Sequence, residues 1–167
     1  PDAADSMFIS VSNEYQSLKE KASGTTNRPK VMLDTRNGSA WYAAGGASTI
    51  GRMIADAGAE YIFADNNSSG SVPLSFESVF EKGQDADIWL LKNSSKGRFT
   101  YKLLESDYKP YSSFKPFRER RIWVCDVNQV PYFELTSFHP ELLLRDFISI
   151  FHPEISNGWY FYHPLDE

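Results

Sequence analysis

Four short apolar runs punctuate the chain: "KVMLDT" (30–35), "EYIFA" (60–64), "DADIWLLK" (85–92) and "RRIWVCD" (120–126). Each is too short for a core helix and is bounded by polar residues, so each reads as a strand. The three stretches between them are long enough to cross over a sheet, and each carries a helix-like segment. A strand–helix–strand connection of this kind is right-handed and leaves its strands parallel. In the third run, Ile88 to Leu91 is apolar on both faces, as in a strand covered by helices on both sides. These features predict an α/β fold, a three-layer αβα lobe with a mainly parallel central sheet of about four to five strands.

The helices between the strands carry their own signals. Phe8, Val11, Tyr15, Leu18 and Ala22 fall at three-and-four spacing, which predicts an amphipathic helix over 5–22. Ile50, Met53, Ile54 and Ala57 give a second over 48–57, with Gly58 placed for a left-handed cap. "SFESVFEKG" (75–83) is a short third helix, with Ser75 as its N-cap and Glu77 at the positive end of its dipole. "FTYKLLESDYKPYSSFKPF" (99–117) is aromatic without a period, and reads as a short helix near 99–106 followed by irregular structure. "VNQVPYFEL" (127–135) reads as a loop or short turn. "HPELLLRDFISIF" (139–151) is the strongest helix, with Pro140 and Glu141 in its first turn. "GWYFYHPL" (158–165) is an extended aromatic segment. The division that follows is a helix at 1–24, a lobe at 25–156 and a tail at 157–167. The chain opens on "PDAADSMF", with no initiator Met and no signal-peptide pattern, so a fragment or processed chain is expected.

Composition narrows the function. With 167 residues, 41% hydrophobic and 15% aromatic, the chain can bury a substantial core. The net charge is −5, and the sole basic cluster, Arg118, Arg120 and Arg121, is interrupted by Glu119. A nucleic-acid partner is not expected. No apolar run reaches the ~18 residues of a membrane-spanning helix. The single cysteine, Cys125, sits in a strand run and reads as a buried thiol. "GGASTIG" is neither a phosphate-binding loop nor a dinucleotide fingerprint, and there is no GxSxG elbow. His139, His152 and His163 each precede proline, as turn or capping residues do. Asp34 and Asp126 close strands, where they read as caps of the following loops. No catalytic residue, protein-held metal or cofactor is expected.

In an open α/β sheet, ligands bind beyond the carboxyl ends of the strands. The segments leaving those ends, 36–47, 65–73, 92–98 and 127–133, carry the candidate ligand residues Arg36, Trp41, Tyr42, Asp65, Asn66, Lys92, Asn93, Asn128, Tyr132 and Phe133. They offer stacking rings, amide groups and two cations, a set suited to a bulky polar ligand with flat parts. The stretch "GSAWYAAGGAST" (38–49) sets two large aromatics among small residues in a loop that looks built to be mobile or open, and leaves two readings open. Either Trp41 and Tyr42 fold back onto the core, or they face a ligand.

The succession "RPKVMLDT", "GGASTIGRMIADAGAEYIFAD", "SVPLSFESVFEKGQDADIWLL", "FKPFRERRIWVCD" and "HPELLLRDFISIFHPEI" resembles the C-terminal lobe of the substrate-binding proteins of ABC importers for iron-siderophore, haem and cobalamin compounds. The resemblance covers roughly residues 14–156. Its most specific parts are the pattern of Ser75, Glu77, Val79, Asp85, Asp87 and Ile88, the run "IADAGAEYIF" (54–63), and "HPEL" (139–142). It implies a non-enzymatic receptor, periplasmic or lipid-anchored at a bacterial envelope. Such a receptor holds a metal chelate between two lobes and delivers it to the permease's membrane subunits. The helix over 5–22 would be the end of the interlobe connection, with the N-terminal lobe absent from this chain. Trp41 and Tyr42 would then be the rings presented to the cleft. Where relatives carry an acidic residue that docks the permease, this chain has Gly46, Ala47, Ser48 and Thr49. The tail has no counterpart in that pattern. An isolated lobe would expose its interlobe surface and self-associate. The alternative class is a protein-interaction domain with no small-molecule ligand. A metal-cluster enzyme of related architecture would need several cysteines.

Overall fold

The computed structural model describes residues 2–167. The chain is α/β, and its main sheet has five strands: β1 (Lys30–Leu33), β3 (Glu60–Tyr61), β5 (Ile88–Asn93), β6 (Ile122–Asp126) and β7 (Tyr162–Pro164). Their order is β3-β1-β5-β6-β7. The first four are mutually parallel, and only β7 runs antiparallel, against β6. Ile88 to Leu91 in the central β5 are all buried, because helices cover both faces of that strand.

The helices form where the local chemistry predicts them. The Ser48 hydroxyl accepts from the Gly51 N–H and starts α2 (Thr49–Asp56), and Gly58 just beyond its end takes φ +80°. Ser75 caps α3 (Phe76–Gly83), and Thr100 caps α4 (Tyr101–Asp107). Residues Lys109–Ser113 form a single 3-10 segment, followed by the short α5 (Lys115–Arg118). The last long helix, α7 (Pro140–Phe151), is buried on most of its positions between the sheet and α1 (Asp2–Ser23).

Four sequence expectations are corrected. First, 36–47 and 65–73 are not plain loops. They contain β2 (Trp41–Ala44) and β4 (Ser71–Leu74), which pair antiparallel as a separate two-stranded ribbon. Two four-residue strands so far apart in sequence leave only a weak local signal. Second, the glycines after β2 serve close packing rather than mobility. A Cβ on Gly45 would lie 2.0 Å from the Ser68 carbonyl oxygen, and one on Gly46 would lie 2.5 Å from the carbonyl oxygens of Phe63 and Asn66. Third, the loop expected over 127–135 becomes α6 (Tyr132–Phe138), which starts directly after Pro131. Fourth, the strand expected over 60–64 ends at Tyr61, where the chain turns and the Ala64 N–H donates to the Tyr61 carbonyl. The tail is extended, and it joins the sheet as β7.

Helix α1 is only half seated. Leu18 and Ala22 are buried and the Tyr15 hydroxyl donates to Asp56 at 2.7 Å, but Phe8 is 71% exposed and Met7 and Ile9 lie open beside it. The N-terminal half of the predicted apolar face is therefore left open on the lobe's surface.

Strand β7 is tied to β6 by an ion pair, His163 Nε2 to Asp126 Oδ2 at 2.7 Å. Burial pulls the imidazole pKa down, but the Asp126 contact outweighs it and leaves His163 above its ordinary 6.5. A raised folded-state pKa adds stability that is complete below the unfolded pKa and vanishes as pH rises through the folded one. His163→Gln should therefore narrow its melting-temperature deficit between about pH 6 and about pH 9, as read by circular dichroism. An equal deficit at both pH values would contradict the charged pair.

Candidate functional site

The carboxyl ends of β1, β5 and β6 meet at one edge of the sheet, and Lys92 near the end of β5 lies between two cavities there. The first, about 430 Å³, is lined by Thr35, Arg36, Lys92, Asn93, Ser94, Ser95 and Tyr108 among others. The second, about 640 Å³, lies between the β2–β4 ribbon, α2 and α6. Its lining includes Ile50, Met53, Lys92, Tyr132, Phe133 and Leu143. One side of Lys92 is polar, with Arg36 and Asp107 in its wall, and the other is aromatic and apolar.

The edge is held by two indoles. Trp41 Nε1 donates to the Leu33 carbonyl at 3.1 Å, and Trp89 Nε1 donates to the next carbonyl, Asp34, at 2.8 Å. Asp34 itself has φ +64°, a left-handed conformation that is strained for a residue with a Cβ. The two rings lie 6.1 Å apart and pack with Tyr111 and Phe114 into one aromatic cluster. This corrects the ligand-facing expectation for Trp41: its side chain is 1% exposed and serves as a strut of the core. Tyr42, one residue on, points the opposite way and is 51% exposed. The period of a strand, absent from the loop reading, divides the two rings between core and surface.

Lys92 Nζ is 3.5 Å from Asp34 Oδ1 and sits 5.3 Å from the centre of the Tyr132 ring. Burial pulls its pKa down, but the negative charge of Asp34, with further support from Tyr132, more than compensates. The ammonium is therefore retained at neutral pH. Burial in turn pushes Tyr132 up, against the opposing Lys92 charge. It also pushes the Cys125 thiol up to about 12, which leaves that sulfur a packed, un-ionised group.

Arg36 lays its guanidinium over the Tyr108 ring at 3.7 Å, and its backbone N–H donates to the Tyr111 hydroxyl at 3.0 Å. Its Nε is buried and has no hydrogen-bond acceptor. Asn93 is spent on the scaffold: its Nδ2 donates to Asp126 Oδ1 at 3.0 Å, and its Oδ1 accepts from the Ser95 N–H and hydroxyl. Asn128 donates to the Ser94 carbonyl and braces the same loop. Tyr132 is buried, whereas Phe133 is 62% exposed beside it. The expected residues Arg36, Lys92, Asn93, Tyr132 and Phe133 are thus gathered at the two cavities. Asp65 and Asn66 lie away from both: Asp65 pairs with Lys82 at 3.3 Å, and Asn66 accepts from the Ser68 N–H within its own turn.

Sequence reasoning missed Tyr108, which stands in the aperiodic aromatic stretch, and the α2 contribution of Ile50 and Met53, which reads only as a core face. The three histidines lie apart. His139 contacts Glu141 at 2.9 Å before α7, His152 contacts the Gly58 carbonyl at 2.8 Å after it, and His163 is on β7. Among the described residues, no group of three or more His, Cys, Asp or Glu side chains is placed to hold a metal.

Trp41→Ala should lower unfolding free energy by about 3–5 kcal/mol, since it empties a core ring site and frees the Leu33 carbonyl. Tyr42→Ala should cost no more than about 0.5 kcal/mol, as surface changes do. Urea unfolding of both variants measures the difference, and similar losses would contradict the assigned roles.

A family model described as periplasmic binding protein matches residues 1–126. An uncharacterized lipoprotein of Methanocaldococcus jannaschii is 29% identical over 137 residues, covering 80% of this chain and 32% of that protein. Among solved structures, the TroA-like periplasmic binding protein FepB from Veillonella parvula matches with a TM-score of 0.68 at 15% identity, over 99% of this chain and 56% of its own. IsdE of S. aureus, solved in complex with heme, matches with a TM-score of 0.65 at 17% identity, over 84% of this chain and 54% of its own. The periplasmic heme-binding protein RhuT from Roseiflexus sp. RS-1 matches with a TM-score of 0.62 at 23% identity, over 87% and 56%. At these identities the structural likenesses establish the fold. The chain spans about a third of the lipoprotein's length and a little over half of each of these solved chains.

Proposed function

The chain belongs to the periplasmic binding protein family, and from that premise we propose that it is a receptor lobe of an ABC importer for a metal chelate of the iron-siderophore, haem or cobalamin type. The chelate binds along the strand-end edge, in a cleft closed by an N-terminal lobe, and passes to the membrane subunits of the permease. The protein works at a bacterial-type envelope, in the periplasm or on a lipid anchor. The family description and the lipoprotein relative support that location.

The observation that carries this reading is the position of Lys92 between a polar cavity, lined also by Arg36, and an aromatic one. An anionic arm of the ligand would pair with Lys92 and Arg36, and its flat or apolar body would lie on Phe133 and Tyr132. Arg36 lines the first cavity, and a ligand carboxylate or comparable oxygen there would pair with the open end of its guanidinium. Stacking on Tyr108 fixes the guanidinium plane and so fixes the direction from which an anion is met. Asn93 and Asn128 brace the loop after β5, and Tyr42, an exposed ring on the ribbon that lines neither cavity, would meet a ligand only where it extends past them. The metal is cargo held by its own chelator and needs no ligand from the chain. The role is binding and release without catalysis.

Titration of haemin, a ferric trihydroxamate and cobalamin against tryptophan fluorescence should give saturable quenching with one ligand class. Phe133→Ala and Arg36→Ala should each weaken that binding by about tenfold, the effect of losing one stacking or charge-assisted contact. Silence towards all three would remove the ligand class and favour an interaction domain. The feature behind that second reading is an apolar groove of about 670 Å³ along α1, lined by Met7, Phe8, Val11, Tyr15, Met53 and Phe138.

The same groove supports self-association of this chain, because an exposed apolar patch of this kind is a contact surface. Sedimentation should show a concentration-dependent dimer that Phe8→Glu disperses. A wild-type chain that stays monomeric at high concentration would contradict this.

A further inference from the structure

We infer that the C-terminal segment 159–165 is a buttress that sets the position of the ligand-binding edge, and that Asp146 is the positioning residue that anchors it. The inference rests on the receptor reading above for what the edge binds, but not for the mechanical link itself.

Asp146 is 2% exposed on α7. Its carboxylate accepts three consecutive backbone N–H groups of the tail: Tyr160 at 2.7 Å on Oδ1, and Phe161 and Tyr162 at 2.7 and 2.9 Å on Oδ2. Burying a carboxylate is expensive, and three aligned donors are what make it tolerable. The ladder between β7 and β6 spans only three residue pairs, so this carboxylate is a principal attachment of the segment.

From that anchor the tail reaches the edge by two routes. Phe161 and Tyr162 pack against Tyr132, with ring centres 5.5 and 6.4 Å away. Tyr132 lies under the Lys92 ammonium and edge-on to Phe133, the exposed ring of the second cavity. By the second route, His163 Nε2 holds Asp126 Oδ2 at 2.7 Å, and Asp126 Oδ1 accepts from Asn93 Nδ2 at 3.0 Å. Asn93 in turn fixes Ser95, which lines the first cavity. Both cavities flanking Lys92 therefore have one wall whose position is fixed from the tail. The chain spends a buried charge where a few apolar contacts would have sufficed to end a sheet. The tail's inner face is fully used by these contacts, while Trp159 and Tyr160 are left exposed outside them.

The test compares Asp146→Asn and His163→Gln with Tyr15→Phe. The last removes the α1 hydrogen bond to Asp56 and touches neither the tail nor the edge. Hydrogen exchange and haemin or ferric trihydroxamate titration are read on each folded variant. Asp146→Asn should speed exchange of amides 160–162 by about tenfold or more, as loss of a charge-assisted contact implies, and should also speed exchange over 132–135. It should weaken ligand binding by about tenfold, and His163→Gln should weaken it less. Tyr15→Phe should lower the melting temperature while leaving both readouts unchanged. Faster exchange in the tail with 132–135 unchanged would overturn the buttress. So would unchanged affinity in a protein that binds. A wild-type chain that binds neither probe contradicts the receptor reading alone, and the exchange result then decides the buttress. If Asp146→Asn does not fold, His163→Gln decides it: unaltered exchange over 93–95 and unaltered affinity would overturn the inference.

Discussion

Two indole N–H groups on consecutive carbonyls hold the end of β1, and the rest of the edge depends on them. Trp41 and Trp89 reach Leu33 and Asp34 from within one aromatic cluster, and Asp34 stays left-handed between them. An unpaired buried indole would cost about 1–3 kcal/mol, so each hydrogen bond constrains ring and backbone together. From Asp34 the chain meets Lys92, and from Lys92 it meets Tyr132. The core and the candidate site are therefore mechanically continuous. A defect in the aromatic cluster would reach the candidate site without touching it.

The parallel sheet was legible in the sequence because apolar runs, caps and crossover lengths all pointed to one architecture. Ser48, Ser75 and Gly58 each marked a helix boundary that the structure has. The β2–β4 ribbon was not legible. Its strands are four residues long, and its register depends on close backbone approach at Gly45 and Gly46, which is a three-dimensional fact. Composition made the "AAGG" stretch look open, when it is among the most tightly packed turns of the chain. The same blind spot made Trp41 a candidate for ligand contact and hid its role as a strut.

Site residues divide along similar lines. Arg36, Lys92 and Phe133 could be picked out because strand ends in such a sheet converge on one edge. Asp65 and Asn66 met the same rule but lie away from both cavities, because the chain turns immediately after Tyr61 and carries them off. Tyr108 and the α7 anchor Asp146 gave no sequence signal. One lies in an aperiodic aromatic stretch and the other on the buried face of a helix, and their partners are distant in sequence. Asp146 ties the tail to α7 as the tail joins the lobe's sheet, although the family match ends at residue 126.

The charge pattern at the edge is economical. Lys92 pairs with Asp34, the Arg36 guanidinium is stacked over Tyr108, and Phe133 is an exposed ring beside them. Such an arrangement is preorganised, so the proposed ligand would cost little conformational entropy on binding. The most direct measurement of the account is anomalous diffraction at the iron or cobalt edge from crystals of this chain grown with a metal chelate. The metal peak should lie over the Lys92 edge, with the chelate between Phe133 and Arg36. A peak in the α1 groove beside Phe8 and Phe138, or a fully occupied chelate that leaves Lys92 and Arg36 untouched, would contradict it.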